Sequence, residues 1–392
     1  MKQIAFIDIG AGFKGAHNTG FLDLLCKYSK TQEANITIIT HQALSKEWEN
    51  KLNNKKISFV RVFDTDIFGL SIDSSTSTQV NDYILQLSQE YKLAFKALVD
   101  LYPEGKVQLI FHTMSWEHLM ALGLAIKGSL NERFICNVFL MYWCGINEAL
   151  EYENPKLALN YKVALKRLKS CENVKLYTSN QEYLLAFQEL MSDRTHIDLH
   201  PFFLGDWQAD GIRQRQDNDG SKNNILLYSG EIKKEKGFYE LPDILSKLKN
   251  KWYQDNIITI HLSKKDLNKK QKDIVSEINE INPTTKTIAK FLSTEDMLTL
   301  YDQCNLVVLN YDSTSYKNKT SGVMWLAIQA GATCIVSENT WMHRELLALN
   351  IDHFIITESQ TLAFSAIPNL IEDNKYARKI YQPFWGWIVK LR

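Results

Sequence analysis

The chain has 392 residues, with 45 Lys plus Arg against 45 Asp plus Glu and a formal net charge of zero. That length is long for one core and makes two domains the starting expectation. The balanced charge excludes a global pull toward nucleic acid or an acidic membrane, so any anion site has to be local. Six scattered cysteines (Cys26, Cys136, Cys144, Cys171, Cys304 and Cys334) show no Cys-x-x-Cys or Cys/His ligand spacing. This argues against structural zinc and for a reducing cytoplasm. No apolar run reaches bilayer length, and the first residues read as a strand, not a signal peptide. The expected location is cytoplasmic, with attachment to the inner membrane surface as an open option.

In chain order, Ile4–Ile9 reads as a strand and His17–Ser29 as an amphipathic helix. Asn35–Thr40 and Ile57–Phe63 are strands, and Thr78–Tyr102 is a long helix with apolar residues at helical spacing. Then come strand Val107–His112, helix Trp116–Lys127, strand Arg133–Trp143, helix Pro155–Lys169, strand Val174–Thr178 and helix Gln181–Met191. Alternation of this kind predicts a doubly wound parallel sheet. The polar, unpatterned stretch 201–223 reads as an interdomain linker. Alternation restarts with strand Ile225–Tyr228, helix Tyr239–Lys249, strand Ile257–His261, helix Lys264–Ile281 and strand Ile288–Leu292. A helix over Thr294–Asp302 is capped by Ser293 or Thr294. The domains expected are 1–200, the linker 201–223, 224–373, and an aromatic, basic segment 374–392. That last segment either packs back on the first domain or lies on a membrane surface.

The most informative stretch is 305–339. Leu306–Leu309 reads as a strand buried on both faces. A polar loop with Lys317 and Lys319 follows, and Thr320-Ser321-Gly322 opens a short helix ending at Gly331. Thr333–Val336 is the next strand. The loop of such a βαβ unit lies at the carboxyl edge of the sheet, where open α/β folds bind ligands. Free N–H groups at the helix start and two nearby ammonium groups form an anion site suited to phosphate.

Three segments resemble motifs of one family. Tyr228 to Gly237, YSGEIKKEKG, is similar to the G-R-L-x-x-E-K-G strand-loop signature of retaining GT-B glycosyltransferases of the family-4-like group. Phe291–Leu309 is similar to that family's G-x-L-S-x-E-E-L-x-x-L-Y-x-x-A-D-V-x-V. Ser321–Val336 is similar to its G-L-x-x-x-E-A-M-A-x-G-x-P-V-V. The matches stand in family order and cover most of residues 224–345, while the N-terminal half matches in outline.

The resemblance implies a GT-B fold, two Rossmann-like doubly wound domains facing across a cleft. It implies transfer of a sugar, with retention, from a nucleotide-sugar bound by the second domain. The acceptor, a saccharide, lipid-linked saccharide or protein of bacterial surface-polysaccharide assembly, would sit on the first. No cofactor, metal or nucleic acid is expected; Asp64-Thr65-Asp66 matches a DxD motif by letters alone. Lys236 stands at the family's diphosphate lysine. Gly12, Phe291, Asn318, Lys319, Ser321, Gly322 and Glu345 complete the implied donor site, and His17, Tyr142, Trp143 and Glu148 the acceptor site. His112 and Glu231 are the implied catalytic candidates. Each has a plainer reading: a core histidine, core aromatics, solvated lysines, an ordinary helix cap.

Three positions depart from the family. Glu231 replaces an arginine and either meets a sugar hydroxyl or pairs with Lys233. Asn318 replaces one glutamate. Leu326 replaces the glutamate that grips the ribose, and leucine cannot accept those hydrogen bonds. A non-catalytic GT-B-like partner or sugar-binding protein, or an epimerase on the same fold, stays as the alternative.

Overall fold

The computed structural model describes residues 2–12, 16–29, 34–67, 75–127, 129–192, 196–201, 223–247, 256–356 and 384–391. The chain divides into two compact units, residues 1–204 with 383–392, and residues 205–382.

The first unit is built on seven strands: β1 (Lys2–Asp8), β2 (Ala34–His41), β3 (Ser58–Phe63), β4 (Val107–Met114), β5 (Phe134–Leu140), β6 (Val174–Thr178) and β7 (Ile197–Leu199). They form one sheet in the order β3-β2-β1-β4-β5-β6-β7, parallel at every pairing. The apolar runs of β1, β4 and β5 are buried on both faces, as a sheet covered by helices on both sides requires. Its helices are α1 (Ala16–Tyr28), α2 (Lys46–Asn54), α3 (Ser77–Leu101), α4 (Trp116–Ile126), α5 (Pro155–Lys169) and α6 (Gln181–Met191). Their starts follow local chemistry. Thr76 and Gln79 form a capping box on α3. Asn154 caps α5, which has Pro155 in its first turn and Lys166, Arg167 and Lys169 in its last.

The second unit has β8 (Asn223–Gly230), β9 (Asn256–Leu262), β10 (Lys286–Ala289), β11 (Leu306–Leu309), β12 (Thr333–Ser337) and β13 (His353–Ile356). They form a parallel sheet in the order β10-β9-β8-β11-β12-β13. Helices α7 (Leu241–Lys247), α8 (Lys269–Ile281), α9 (Thr294–Asp302), α10 (Gly322–Gln329) and α11 (Trp341–Ala348) accompany it. Its core joins Ile225, Leu227, Phe238, Ile258, Ile260, Leu306, Val308 and Ile335. In both sheets the chain runs outward from the first strand to one edge, then returns to lay the fourth strand on the other side of the first.

Some elements differ from the sequence expectation. The helix expected from 264 starts at 269, because Asn268 and Gln271 form a capping box there. β5 stops at Leu140, so 141–143 belong to the following loop. Helix α2, strand β7, helix α11 and strand β13 were not expected. In α2 only Leu52 is buried, too thin an apolar stripe to show a period, and β7 is three residues long. Of the expected linker 201–223, residues 202–222 lie outside the described residues and Asn223 opens β8. Of the expected segment 374–392, residues 374–383 and 392 lie outside them, and helix α12 (Phe384–Ile388) belongs to the first unit.

Candidate functional site

In the second unit the strand order reverses between β8 and β11. Outside the carboxyl ends of two such strands, helices diverge to opposite faces and leave a crevice where ligands bind. Two loops flank it, 230–237 after β8 and 310–321 after β11. Gly230 leaves the strand at φ +111. The Tyr228 hydroxyl then holds the loop, donating to the Glu231 carbonyl at 2.6 Å and accepting from the Lys233 N–H at 3.2 Å. Gly237 closes a short 3-10 turn over Lys234–Lys236 at φ +72. A Cβ at Gly237 would stand 2.1 Å from the Asn310 carbonyl oxygen, so the loops touch where only glycine fits. The Asp312 N–H completes the seam, donating to the Glu235 carbonyl at 2.9 Å.

Lys236 sits inside this seam. A Cβ at Gly230 would lie 3.4 Å from its Nζ, and the Nζ is 5.9 Å from the centre of the Tyr311 ring. Burial, and then the charge of Lys233, lower its pKa, against the raising effect of Glu231 and Glu235. The Lys319 Nζ lies 5.9 Å from the Tyr316 ring, and the two tyrosine rings are 4.4 Å apart. Each lysine is thus set against one ring of a tyrosine pair. Glu231 pairs with Lys233 at 2.9 Å, so its carboxylate has a counter-charge within its own loop.

Ser321 caps α10, its hydroxyl accepting from the Met324 N–H at 3.3 Å. The hydroxyl is therefore engaged, and the first-turn N–H groups, Gly322 included, carry the anion-binding capacity. Asn318 and Lys319 stand in the turn just before this cap. Helix α11 braces the loop from behind. Its Trp341 N–H donates to the Tyr316 carbonyl at 2.9 Å, and the Arg344 guanidinium donates to the Lys317 carbonyl. Glu345 is buried on the same helix. Leu326 is also buried, closed into the packing of α10.

At the carboxyl end of β9, the buried His261 links three strands. Its Nε2 is 3.2 Å from the Lys290 carbonyl and its Nδ1 is 3.1 Å from the Ser229 hydroxyl. A carbonyl only accepts, so Nε2 carries the proton and Nδ1 accepts from Ser229. Burial lowers the pKa of His261 and keeps it neutral. Phe291 follows, 75% exposed, an apolar face left in solvent at the sheet's carboxyl edge.

Gly12, His17, His112, Tyr142, Trp143 and Glu148 all lie in the first unit. Gly12 ends a 3-10 turn after β1, and His17 is in α1 with its side chain outside the described residues. His112 is buried at the end of β4, its ring stacked on Phe21 at 4.3 Å and its Nδ1 3.0 Å from the Thr113 hydroxyl. Burial pushes its pKa down to about 4, so it is neutral at physiological pH. Tyr142, Trp143 and Glu148 share the loop after β5. Tyr142 is 37% exposed, Glu148 is exposed, and the Trp143 indole donates to the Ile146 carbonyl.

Sequence reasoning passed over Tyr228, His261, Asn310, Tyr311 and Tyr316. All but Tyr316 stand near a strand end, and that position was the available signal; Tyr316 lies further along the loop after β11. Among the described residues no three His, Cys, Asp or Glu side chains converge as metal ligands. No described helix is long and apolar enough to cross a membrane.

No protein-family model matches the chain, and no curated protein does. Solved structures do. A glycosyltransferase from Rickettsia africae matches with a TM-score of 0.62 at 12% identity, over 99% of this chain and 96% of that one. The Anabaena protein Alr3699/HepE, in complex with UDP and glucose, matches with a TM-score of 0.54 at 16% identity, over 99% and 95%. A putative UDP-N-acetylglucosamine 2-epimerase from Listeria monocytogenes matches with a TM-score of 0.53 at 12% identity, over 97% and 88%. At such identities the fold is what is shared: GT-B, with two Rossmann-like parallel-sheet domains.

Proposed function

We propose that this chain is a glycosyltransferase, retaining and family-4-like, that binds a nucleotide-sugar on its second unit. The observation that carries this is the seam around Lys236. A half-buried ammonium stands at the β8–β11 switch point, beside a helix start with open N–H groups and a second lysine set on a tyrosine ring. Transfer of a sugar breaks its C1–O bond and leaves negative charge on a nucleoside diphosphate. Fixed cations and N–H donors at that position stabilise the charge as it develops. The burial that depresses the Lys236 pKa also makes an anion there welcome, since a diphosphate restores the charge balance that desolvation opposes. Phe291, exposed just past β10, is the residue assigned to the base in this reading. The UDP held by the Anabaena neighbour supports the same class of ligand here.

The acceptor in this reading is a saccharide or lipid-linked saccharide met on the first unit, in the cytoplasm or at the inner membrane surface. The reaction uses no metal and no further cofactor, so UDP affinity is expected to be unchanged by EDTA.

Calorimetry with UDP is the test. Lys236→Ala is expected to weaken binding at least about tenfold, the effect of about 1.4 kcal/mol from a lost charge-assisted contact. Unchanged affinity removes the site. A second reading rests on Leu326, whose buried side chain leaves the ribose without its usual carboxylate. On that reading the protein binds a nucleotide or sugar without catalysis, and UDP-glucose incubated with it stays intact over hours.

A further inference from the structure

Glu117 has no place in the site described so far. It stands in the first turn of α4, 3% exposed, and both of its carboxyl oxygens are buried without a hydrogen-bond partner. A buried carboxyl left unpaired on both oxygens is among the costliest arrangements a fold can keep. Burial raises its pKa; the Ser115 hydroxyl and its own amide stand close enough to act in the other direction without reaching hydrogen-bond geometry.

Its titratable neighbours are phenols. Tyr142 is pushed up to about 12 by burial and then by the Glu117 charge. Tyr83 and Tyr161 are raised the same way, burial first and Glu117 next. Asp66 and Glu90 also act on Tyr83. Tyr83 is already committed, donating to the Asp66 carbonyl at 3.1 Å and standing 3.1 Å from His118 Nε2. His118 is neutral, held down at about 4 by burial, and brings no charge to Glu117.

The location points to a ligand. β4 leads through Ser115 into α4, and its sheet neighbour β5 leads into the loop that carries Tyr142. β4 and β5 are paired with Met114 against Leu140, so Glu117 and the 37% exposed Tyr142 follow neighbouring strands at the same carboxyl edge. Two acceptor oxygens without a well-formed hydrogen bond match the two donors of a vicinal diol, and a partly exposed tyrosine on the neighbouring loop matches the apolar face of a pyranose.

We propose that Glu117 and Tyr142 form a saccharide subsite, with Glu117 accepting two hydrogen bonds from a vicinal diol of the acceptor. This rests on the transferase reading above and names the acceptor side of it. Because Glu117 is 3% exposed, a saccharide reaches its carboxyl only with movement of the side chains around it.

The test is saturation-transfer NMR on the full chain with methyl α-D-glucopyranoside, methyl α-D-galactopyranoside and methyl α-D-mannopyranoside, alongside UDP calorimetry. At least one glycoside is expected to bind. Glu117→Gln, nearly the same shape without the charge, and Tyr142→Ala, at an exposed position, are each expected to weaken it at least tenfold. UDP affinity should stay within twofold of wild type in both. The thermal midpoint of Glu117→Gln at neutral pH is expected to match or exceed wild type, because burial disfavours the ionised form that the substitution removes; a merely structural carboxyl would give a lower one. The proposal is overturned if no glycoside binds wild type, or if either variant binds glycoside as wild type does. Lost UDP binding in wild type would instead remove the transferase reading, so the two failures are distinguishable.

Discussion

Asp8 shows what a single buried carboxyl does to this molecule. It ends β1 at 1% exposure, with one oxygen accepting the Gly10 N–H at 2.9 Å and the other without a partner. Burial raises its pKa from 3.8 to about 7, against the lowering effect of the Gly10 and Ala11 amides. The folded state therefore holds a proton that the unfolded state has already released. Its contribution to stability is full below the unfolded pKa and is lost as pH rises through about 7. A shift of this size corresponds to about 4 kcal/mol at full loss. Asn at this position keeps an acceptor for Gly10 and cannot titrate. Asp8→Asn is expected to match wild type near pH 4 and to melt higher than wild type at pH 8; parallel melting curves across that range would refute the argument. Nothing in the sequence set Asp8 apart, because an acid at a strand end reads as an ordinary loop boundary. Lys236 and Gly322 were singled out as candidates from the sequence, Lys236 by its resemblance to a family motif and Gly322 by opening a helix after an apolar strand. Tyr311 and Tyr316 were not, since a tyrosine just past a buried strand looks like any core aromatic until the neighbouring loop is in place.

At the scale of elements, the second unit's site depends on two loops held against each other, and Gly237 is where they meet. Two glycines separate the factors. Gly105, at φ +83, has open space within 4 Å of where a Cβ would stand, so alanine there meets backbone strain alone, about 1 kcal/mol. Gly237, at φ +72, adds an approach of 2.1 Å to the Asn310 carbonyl, which is backbone and cannot turn aside. Gly237→Ala is expected to destabilise by more than about 3 kcal/mol, or to part the loops and weaken UDP binding with Lys236 still present. Gly105→Ala should do neither. Denaturant titration and UDP calorimetry on both variants check this, and equal effects would mean that the loop contact is not what holds the site. The strands and longer helices were legible because a sheet covered on both sides demands continuous apolar runs and its helices demand a 3.6 period. The seam between loops was not, because contact between residues 237 and 310 leaves no local pattern in either segment.

The two units show how far pattern reaches at the scale of the chain. Alternating strands and helices announced two α/β domains, but periodicity is blind to neighbours, so the strand order and both switch points came only with the sheets themselves. The last residues of the chain, expected to pack back on the first domain, belong to the first unit. Trp385 is 5% exposed and stacks on Tyr28 with ring centres 4.5 Å apart and planes 5° from parallel. Trp387 meets Tyr177 edge-on at 5.0 Å and lies 6.0 Å from Phe139. The Lys2 ammonium donates to the Leu391 carbonyl at 2.9 Å and also to that of Val389. Residues from opposite ends of the sequence thus close one core, and an aromatic cluster of this kind is worth several kcal/mol through burial alone. Trp385→Ala is expected to destabilise the first unit by about 3–5 kcal/mol, the usual effect of truncating a buried tryptophan. Because the cations and helix start proposed to hold the diphosphate, Lys236, Lys319 and Gly322, lie in the second unit, UDP affinity measured well below the melting temperature should stay at its wild-type value. Circular dichroism melts and calorimetry on the same sample separate the two effects. A melting curve that does not move would show that α12 adds nothing to the first core, and a parallel loss of UDP affinity would show that the nucleotide site needs the first unit intact.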